Sequence, residues 1–219
     1  NNGARTSDAD VEPVAVGWSD DVTTVQLVGW LATFVGAVVG FPQLWRLVHT
    51  RNVEGLSLVA WQWILVMNAV WFAHGVRIDQ PPQLVVNSIG ACATVPILVL
   101  LSRAVGRRLW QVVLPSLVAA AVIIAIDHFL GSAAFGLAAI VPGIGSTVGQ
   151  TIELVRAPHV RGLSALFMVL AFVNQALWTT WAFLIGDPGS VITAVTMSLL
   201  TGANLVWYGA RRLGLRAFF

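Results

Sequence analysis

The sequence predicts an all-α membrane protein with seven transmembrane helices, arranged as two parallel three-helix bundles joined by an inverting linker helix. Three observations predict this class. The first is composition: of the 219 residues 57% are hydrophobic and 10% are charged, and the mean hydropathy is +0.81. A soluble domain carries about 25% charged residues. The second observation is a series of long apolar runs, and the third is an internal repeat.

The apolar runs follow a polar, acidic N-terminal segment. A membrane span needs about 20 mainly apolar residues. Seven runs meet this requirement, at 24–48, 57–77, 83–102, 109–129, 133–155, 163–185 and 189–210. The connections between them are short, so the chain has no room for a soluble catalytic domain.

Spans 1 to 3 recur as spans 5 to 7. The chain aligns with itself at a shift of 107 residues, the separation of Gly29 from Gly136. In the same register Gln43 matches Gln150, the Gly-Leu-Ser of 55–57 matches that of 162–164, Trp71 matches Trp178, and Pro81 matches Pro188. Chance similarity between apolar runs does not readily align Gly, Gln, Ser, Trp and Pro in one register, which indicates a duplication.

Span 4 restores the orientation of the second repeat. Three crossings are an odd number, so a direct fusion would invert the second unit, and one extra crossing makes the units parallel. Parallel repeats place the substrate site between the halves, near mid-membrane. The predicted divisions are a polar extracellular tail (1–23), a first bundle (24–103), a linker helix (104–131), a second bundle (132–212) and a cytoplasmic tail (213–219).

The arginines predict the orientation in the membrane. They cluster in alternate connections and at the C-terminus: Arg46, Arg51, Arg103, Arg107, Arg108, Arg156, Arg161, Arg211, Arg212 and Arg216. Cytoplasmic connections are rich in Arg and Lys. We therefore expect a multi-pass protein of the plasma (inner) membrane with its N-terminus outside and its C-terminus in the cytoplasm.

Several function classes lack support in the sequence. Cys92 is the single cysteine and has no metal-ligand company, and there is no nucleophile–base pair or phosphate loop. We expect no enzyme activity, no metal, no cofactor and no nucleic-acid partner. No Asp, Glu or Arg lies at the middle of a span, whereas proton-driven carriers usually need an intramembrane relay. This favours a neutral solute and transport without proton coupling.

The stretch Gly40-Phe-Pro-Gln43, the following TRNVEGLS, Trp71, Asn87 and the VPILVL of 95–100 resemble the PQ-loop superfamily, and within it the SWEET and SemiSWEET sugar transporters. The resemblance implies a facilitative carrier for a small neutral mono- or disaccharide. It also implies that Trp71, Asn87 and Trp178 line the sugar pocket. Without the resemblance, the tryptophans are also consistent with an interfacial aromatic belt, and Asn87 with a contact between two helices.

Other polar residues are further pocket candidates. Asn68 and Gln175 match across the repeats and precede each pocket tryptophan by three residues. The position that matches Asn87 is Ala194, beside which Thr193 and Thr196 offer hydroxyl groups. The two halves of the pocket are therefore expected to differ.

Hinge and gate candidates come from the first helix of each repeat and from the residues after each pocket tryptophan. Pro42 loosens span 1, and Gly149 replaces it in span 5; either is a hinge or a static feature, and the resemblance favours hinges. Gln43 and Gln150 follow them and have amides for interhelical bonds. Where relatives often have Tyr, this chain has His74 and Trp181, which the resemblance assigns to a gate.

For His74, near the outer end of span 2, and for His128, at the outer end of span 4, the alternatives are a sensor of pH and an ordinary surface histidine, and we expect the latter. Two other functions also stay open: a carrier of an amino acid, vitamin or other metabolite, and a non-transporting receptor or helper protein of the same fold. The sequence leaves the oligomeric state open, a homo-oligomer included.

Overall fold

The computed structural model describes residues 18–50, 56–156 and 164–214, except for the side chains of 18–22, 39–44, 46–48, 50 and 153. Seven α-helices cover these residues: α1 (Trp18–Thr50), α2 (Leu58–Arg77), α3 (Pro81–Ala104), α4 (Leu109–Leu130), α5 (Ser132–Arg156), α6 (Ala165–Ile185) and α7 (Pro188–Arg212). The helices α2 to α7 are each long and apolar enough to cross a membrane, and α1 has an apolar run over Thr23–Val38.

The helices match the predicted spans closely, and α1 differs most. It begins at Trp18, so the last residues of the segment predicted as a tail are helical.

Equivalent caps begin the second helix of each repeat. Ser57 accepts a hydrogen bond from the amide of Ala60 and starts α2, and Ser164 accepts one from the amide of Phe167 and starts α6. A serine at this position satisfies a backbone donor that the helix leaves unpaired. This capping role gives a physical reason for the serine that recurs in the two repeats.

The helices form two bundles of three. In the first, α3 contacts both α1 and α2, and in the second, α7 contacts both α5 and α6. The bundles meet through α1 against α6 and α2 against α5, which are equivalent pairs in the two repeats. The linker α4 packs on α2, α3 and α5. The chain is therefore an all-α membrane protein of the predicted 3-1-3 arrangement.

The linker contributes to the core. A buried cluster joins Val66 and Val70 of α2, Ile123 of α4 and Phe135 of α5. In this cluster α4 touches a helix of each bundle, so it holds the repeats together as well as setting their orientation.

Close approaches between helices depend on glycine. A methyl group added to Gly136 would lie 2.6 Å from the Cα atom of Gly189, so α5 and α7 meet backbone to backbone at this point. The hydroxyl of Thr193 then donates to the carbonyl oxygen of Gly136 at 2.9 Å. In the first bundle, the hydroxyl of Thr33 donates to the carbonyl oxygen of Pro82 at 3.0 Å and joins α1 to α3.

Candidate solute site between the two bundles

A cavity of about 180 Å³ lies where the two bundles meet. One water needs only about 10–15 Å³ of such space, so the cavity has room for a larger solute. Its wall comes from α2 and α3 of the first bundle and from α6 and α7 of the second. The lining residues are Met67, Trp71, Gln83, Val86, Asn87, Gln175, Trp178, Trp181, Ser190, Thr193, Ala194 and Met197. None of them carries a charge.

The two predicted pocket tryptophans both line this cavity. Trp71 lies edge-on to Phe135 of α5, with ring centroids 5.0 Å apart. Trp178 lies edge-on to Trp181, with centroids 5.2 Å apart. Edge-to-face contacts of this kind fix the orientation of aromatic rings. Each tryptophan is thus held by an aromatic neighbour and presents part of its surface to the cavity.

Asn87 also lines the cavity and is positioned by Gln83, a residue that the sequence analysis missed. The side-chain amide of Asn87 donates to the backbone carbonyl oxygen of Gln83 at 2.7 Å. The side-chain amide of Gln83 in turn donates to the backbone carbonyl oxygen of Trp71 at 3.1 Å. The side chain of Gln83 is buried, and its Oε1 has no hydrogen-bond partner among the described residues. The spacing could have found Gln83, because residues four apart share a helix face.

The remaining pocket candidates divide. Gln175 and Thr193 line the cavity, although the hydroxyl of Thr193 is engaged with the backbone of α5. Thr196 donates to the carbonyl oxygen of Ile192 in its own helix and is not part of the lining.

Asn68 belongs to a second cavity, of about 620 Å³, where its amide donates to the hydroxyl of Thr94 at 3.3 Å. The two cavities share Val86 and Asn87, and the second extends along α3 as far as Ala93.

The hinge candidates are only partly visible. Pro42 and Gln43 lie on α1, but their side chains are outside the described part of the structure. On α5, a methyl group added to Gly149 would meet no atom of the described residues within 4 Å, so packing among these residues does not require this glycine. The amide of Gln150 contacts the sulfur of Met168 on α6 at 3.1 Å. The hinge role of Gly149 stays a prediction.

The two gate candidates make equivalent contacts at one end of the molecule. This end holds the α2–α3, α4–α5 and α6–α7 connections and is called here the Asp187 end. His74 of the first bundle stacks on Phe135 of the second, with centroids 4.1 Å apart. Trp181 of the second bundle packs in turn against the first, where a methyl group on Gly29 would lie 2.8 Å from its Nε1. Each bundle thus inserts one ring into the other.

A network of charged residues surrounds His74. Its Nδ1 lies 2.8 Å from Oδ2 of Asp127, and its Nε2 lies 3.0 Å from Oδ2 of Asp187. Arg77 pairs with the other carboxylate oxygen of Asp127 at 2.8 Å, and the hydroxyl of Ser132 donates to Asp187. His74 is fully buried, so the expectation of a surface histidine was wrong; its partners lie far away in the sequence. His128 is exposed, as expected.

Asp187 lies between α6 and α7 and is the N-cap of α7. Its Oδ2 accepts a hydrogen bond from the amide of Ser190 at 2.8 Å. Burial opposes its ionisation, but hydrogen bonds from His74, Ser132 and Ser190 outweigh burial, so the pKa of the Asp187 carboxyl lies well below its ordinary value. Asp187 is therefore a carboxylate in this network.

Comparisons with known proteins agree with this architecture. A family model described as the PQ loop repeat matches residues 24–61. A curated protein of Escherichia coli (strain UMEA 3162-1), named "Sugar transporter SemiSWEET", is 30% identical over 77 residues, which are 35% of this chain and 86% of that protein. A solved structure of a eukaryotic SWEET transporter matches with a TM-score of 0.67 and 13% identity, over 87% of this chain and all of the other.

Proposed function

This chain belongs to the SWEET and SemiSWEET family of PQ-loop proteins, and on that premise we propose that it carries a small neutral sugar across the membrane by alternating access. The observation that carries the proposal is the uncharged cavity between the bundles, with one tryptophan from each bundle in its wall. A charged solute would lose its hydration there without a compensating charge. We propose uniport, in which the sugar moves down its own gradient.

The lining residues suit a sugar. The faces of Trp71 and Trp178 offer apolar surface for the C–H groups of the ring, and the amides of Asn87, Gln83 and Gln175 offer hydrogen bonds for its hydroxyls. A carrier must also release its solute. A Kd of 1 mM corresponds to about −4.1 kcal/mol, which a few hydrogen bonds and one or two stacked rings supply.

Alternating access requires that the ends open in turn. At the Asp187 end, His74 and Trp181 each insert into the opposite bundle, so this end is closed in the structure. Opening it requires both rings to withdraw as the bundles rock apart. Pro42 and Gly149 are the proposed hinges, and Gln43 and Gln150 follow them on the same helices.

The orientation follows from the arginines. The Asp187 end holds the connections that lack clusters of arginine, and cytoplasmic connections are the arginine-rich ones. We therefore assign the Asp187 end and the N-terminus to the outside of the plasma (inner) membrane, and the C-terminus to the cytoplasm. In this orientation, His74 and Trp181 form the proposed gate toward the outside.

The test is flux in proteoliposomes. The purified protein is reconstituted, and the entry of radiolabelled glucose, sucrose, alanine and glutamate is measured with and without an imposed pH gradient. Protein-free liposomes serve as the control. We expect saturable entry of a neutral sugar that an unlabelled sugar inside the liposomes accelerates, with no dependence on a proton gradient as a driving force.

Two results would contradict the proposal. Uptake of glutamate or alanine driven by the pH gradient, with no sugar flux, would indicate a metabolite carrier. Absence of flux for every solute, together with specific binding of a protein tail, would indicate a receptor or helper protein.

A further inference from the structure

We infer that His74 is a proton-binding site, and that the Asp187 end binds one proton when it closes and releases it to the same side when it opens. The argument begins with the hydrogen bonds. Both ring nitrogens of His74 lie within hydrogen-bond distance of a carboxylate oxygen, of Asp127 at 2.8 Å and of Asp187 at 3.0 Å. A neutral imidazole has one N–H, whereas an imidazolium has two, and a carboxylate can only accept.

The additional proton that these two hydrogen bonds require lies on His74 and not on either carboxylate. Oδ2 of Asp127 accepts from His74 and from Nε of Arg77. Its Oδ1 has no hydrogen-bond partner among the described residues, but it lies 2.8 Å from a guanidinium nitrogen of Arg77, and this ion pair favours the ionised carboxylate. In Asp187, Oδ2 accepts from His74 and from the amide of Ser190. The lowered pKa of Asp187 agrees with this geometry. Both ring nitrogens of His74 therefore carry a proton, one donated to Asp127 and the other to Asp187.

The charges balance only when His74 is protonated. The network then holds two cations, His74 and Arg77, and two anions, Asp127 and Asp187. Among the described residues, the contacts of His74 from α5 come from the ring of Phe135, which does not titrate. Without the proton, a buried negative charge would stay uncompensated and a ring lone pair would face a carboxylate, which is costly in an apolar interior.

One bond in this network links opening to the proton. Asp127 stays with the first bundle, because Arg77 holds it and because the amide of Gln62 on α2 also donates to the carbonyl oxygen of Val112 on α4 at 2.6 Å. Asp187 belongs to the second bundle. When the bundles part, His74 keeps Asp127 and loses Asp187, and a neutral ring with one N–H then satisfies its remaining partner.

The sign of the pH dependence follows. Closing this end binds a proton, so acid stabilises the closed state and alkali favours the open state. One proton changes the closed-to-open ratio by at most about tenfold per pH unit. The proton leaves and returns on the same side, so the carrier moves no net proton, in agreement with uniport. The inference rests on the proposed alternating access, but its test does not need the solute.

The experiment measures a distance across the Asp187 end. Val76 and Phe183 occupy equivalent positions on α2 and α6, and both are exposed. On a Cys92→Ser background, Val76→Cys and Phe183→Cys carry spin labels, and pulsed electron paramagnetic resonance measures their separation in lipid nanodiscs between pH 5 and 9. We expect the short-distance, closed population to grow as the pH falls.

Three variants decide the outcome. His74→Gln cannot bind the proton and should show a distance distribution that is independent of pH. Asp187→Asn keeps a capping side chain but removes the charge, and it should also lose the pH dependence; it carries the test if His74→Gln does not fold. His128→Gln changes an exposed histidine at the same end and should behave as the parent does.

A pH-independent parent, or unchanged pH dependence in a folded His74→Gln or Asp187→Asn protein, would overturn the inference. A missing sugar flux with the expected distances would count against the proposed function alone.

Discussion

The ring of Trp71 lies edge-on to the ring of His74, with centroids 5.6 Å apart. This contact joins the wall of the cavity to the charged network at the Asp187 end. Phe135 touches both rings, at 5.0 Å and 4.1 Å between centroids. In the proposed carrier, a solute that displaces Trp71 would therefore act on the residues proposed to close this end.

Removing the ring of Trp71 should remove the sugar's apolar platform. We expect Trp71→Ala to lower sugar flux by about tenfold or more, which corresponds to about 1.4 kcal/mol. Trp71→Phe should keep part of the flux. The measurement is the initial rate of sugar exchange in proteoliposomes, with equal amounts of folded protein.

Trp110 provides the control for this change. It lies on α4, is 57% exposed and is remote from the cavity, so Trp110→Ala should transport normally. A folded Trp71→Ala protein that exchanges sugar at the wild-type rate would remove Trp71 from the proposed site. Asn87→Ala tests the part of the wall that α3 of the same bundle contributes, in the same assay, and should also abolish most of the flux.

Gln83 should matter for the affinity of the site. Its amide orders Trp71, its backbone orders Asn87, and its free acceptor lies in a residue of the cavity wall. We expect Gln83→Leu to raise the KM for sugar about tenfold, since losing hydrogen bonds in a buried site costs about 1–3 kcal/mol. The measurement is the concentration dependence of exchange.

The matched control is Gln62→Leu. The side-chain amide of Gln62, on α2, also donates to a backbone carbonyl oxygen, that of Val112 on α4. Gln62 lies away from the cavity. It should change stability rather than KM. An unchanged KM in Gln83→Leu would limit Gln83 to a structural role.

Much of the fold was predictable because strong, long-range patterns encode it. Apolar runs of membrane length mark the helices, and the register of Trp71 with Trp178 marks the duplication. The repeated Ser57 and Ser164 proved to be helix caps, a local rule that the sequence expresses directly.

The charged network was not predictable for the opposite reason. His74 and Asp187 are separated by 113 residues, and no local pattern pairs them. His74 and Asp127 look like residues at the ends of spans, where polar side chains are common. Only the packing of α4 and α5 against α2, and of α7 against α5, buries them together, so the sequence suggested a surface histidine.

The contact between Gly136 and Gly189 should be essential for stability. Here a methyl group would meet backbone atoms at 2.6 Å, and a backbone cannot turn aside as a side chain can. Overpacking of this kind costs about 1–3 kcal/mol or more, so Gly136→Ala should lower the melting temperature. Gly209→Ala is the control, because its methyl group would meet no atom of the described residues within 4 Å. Equal melting temperatures of Gly136→Ala and Gly209→Ala in detergent would contradict this account of the α5–α7 interface.

Asp187 should make stability depend on pH in the acid range. A carboxyl whose folded pKa is lowered stabilises the fold above its ordinary pKa of about 3.9 and loses that contribution as the pH falls toward the folded value. The melting temperature of the wild type should therefore fall between pH 5 and pH 3, and that of Asp187→Asn should fall less. Asp79→Asn, at an exposed carboxylate of the same end, is the control. Parallel curves for wild type and Asp187→Asn would refute the assignment.

Substitution of Gly149 by alanine distinguishes a hinge at this position from a static structural feature. Its surroundings admit a methyl group, so Gly149→Ala introduces no clash and should favour the helix by about 0.5–1 kcal/mol. If α5 must flex at this point, the same change stiffens the hinge, and sugar exchange should slow severalfold although the melting temperature rises.

Gly209→Ala makes the same chemical change on α7, at a glycine where an added methyl group also meets no atom in the described part of the chain. It should raise the melting temperature similarly but leave exchange unaltered. Faster unfolding and slower exchange together would point to a packing defect. Wild-type exchange in a stabilised Gly149→Ala protein would show that the bundles rock about another point, and Pro42→Ala would then test α1 alone.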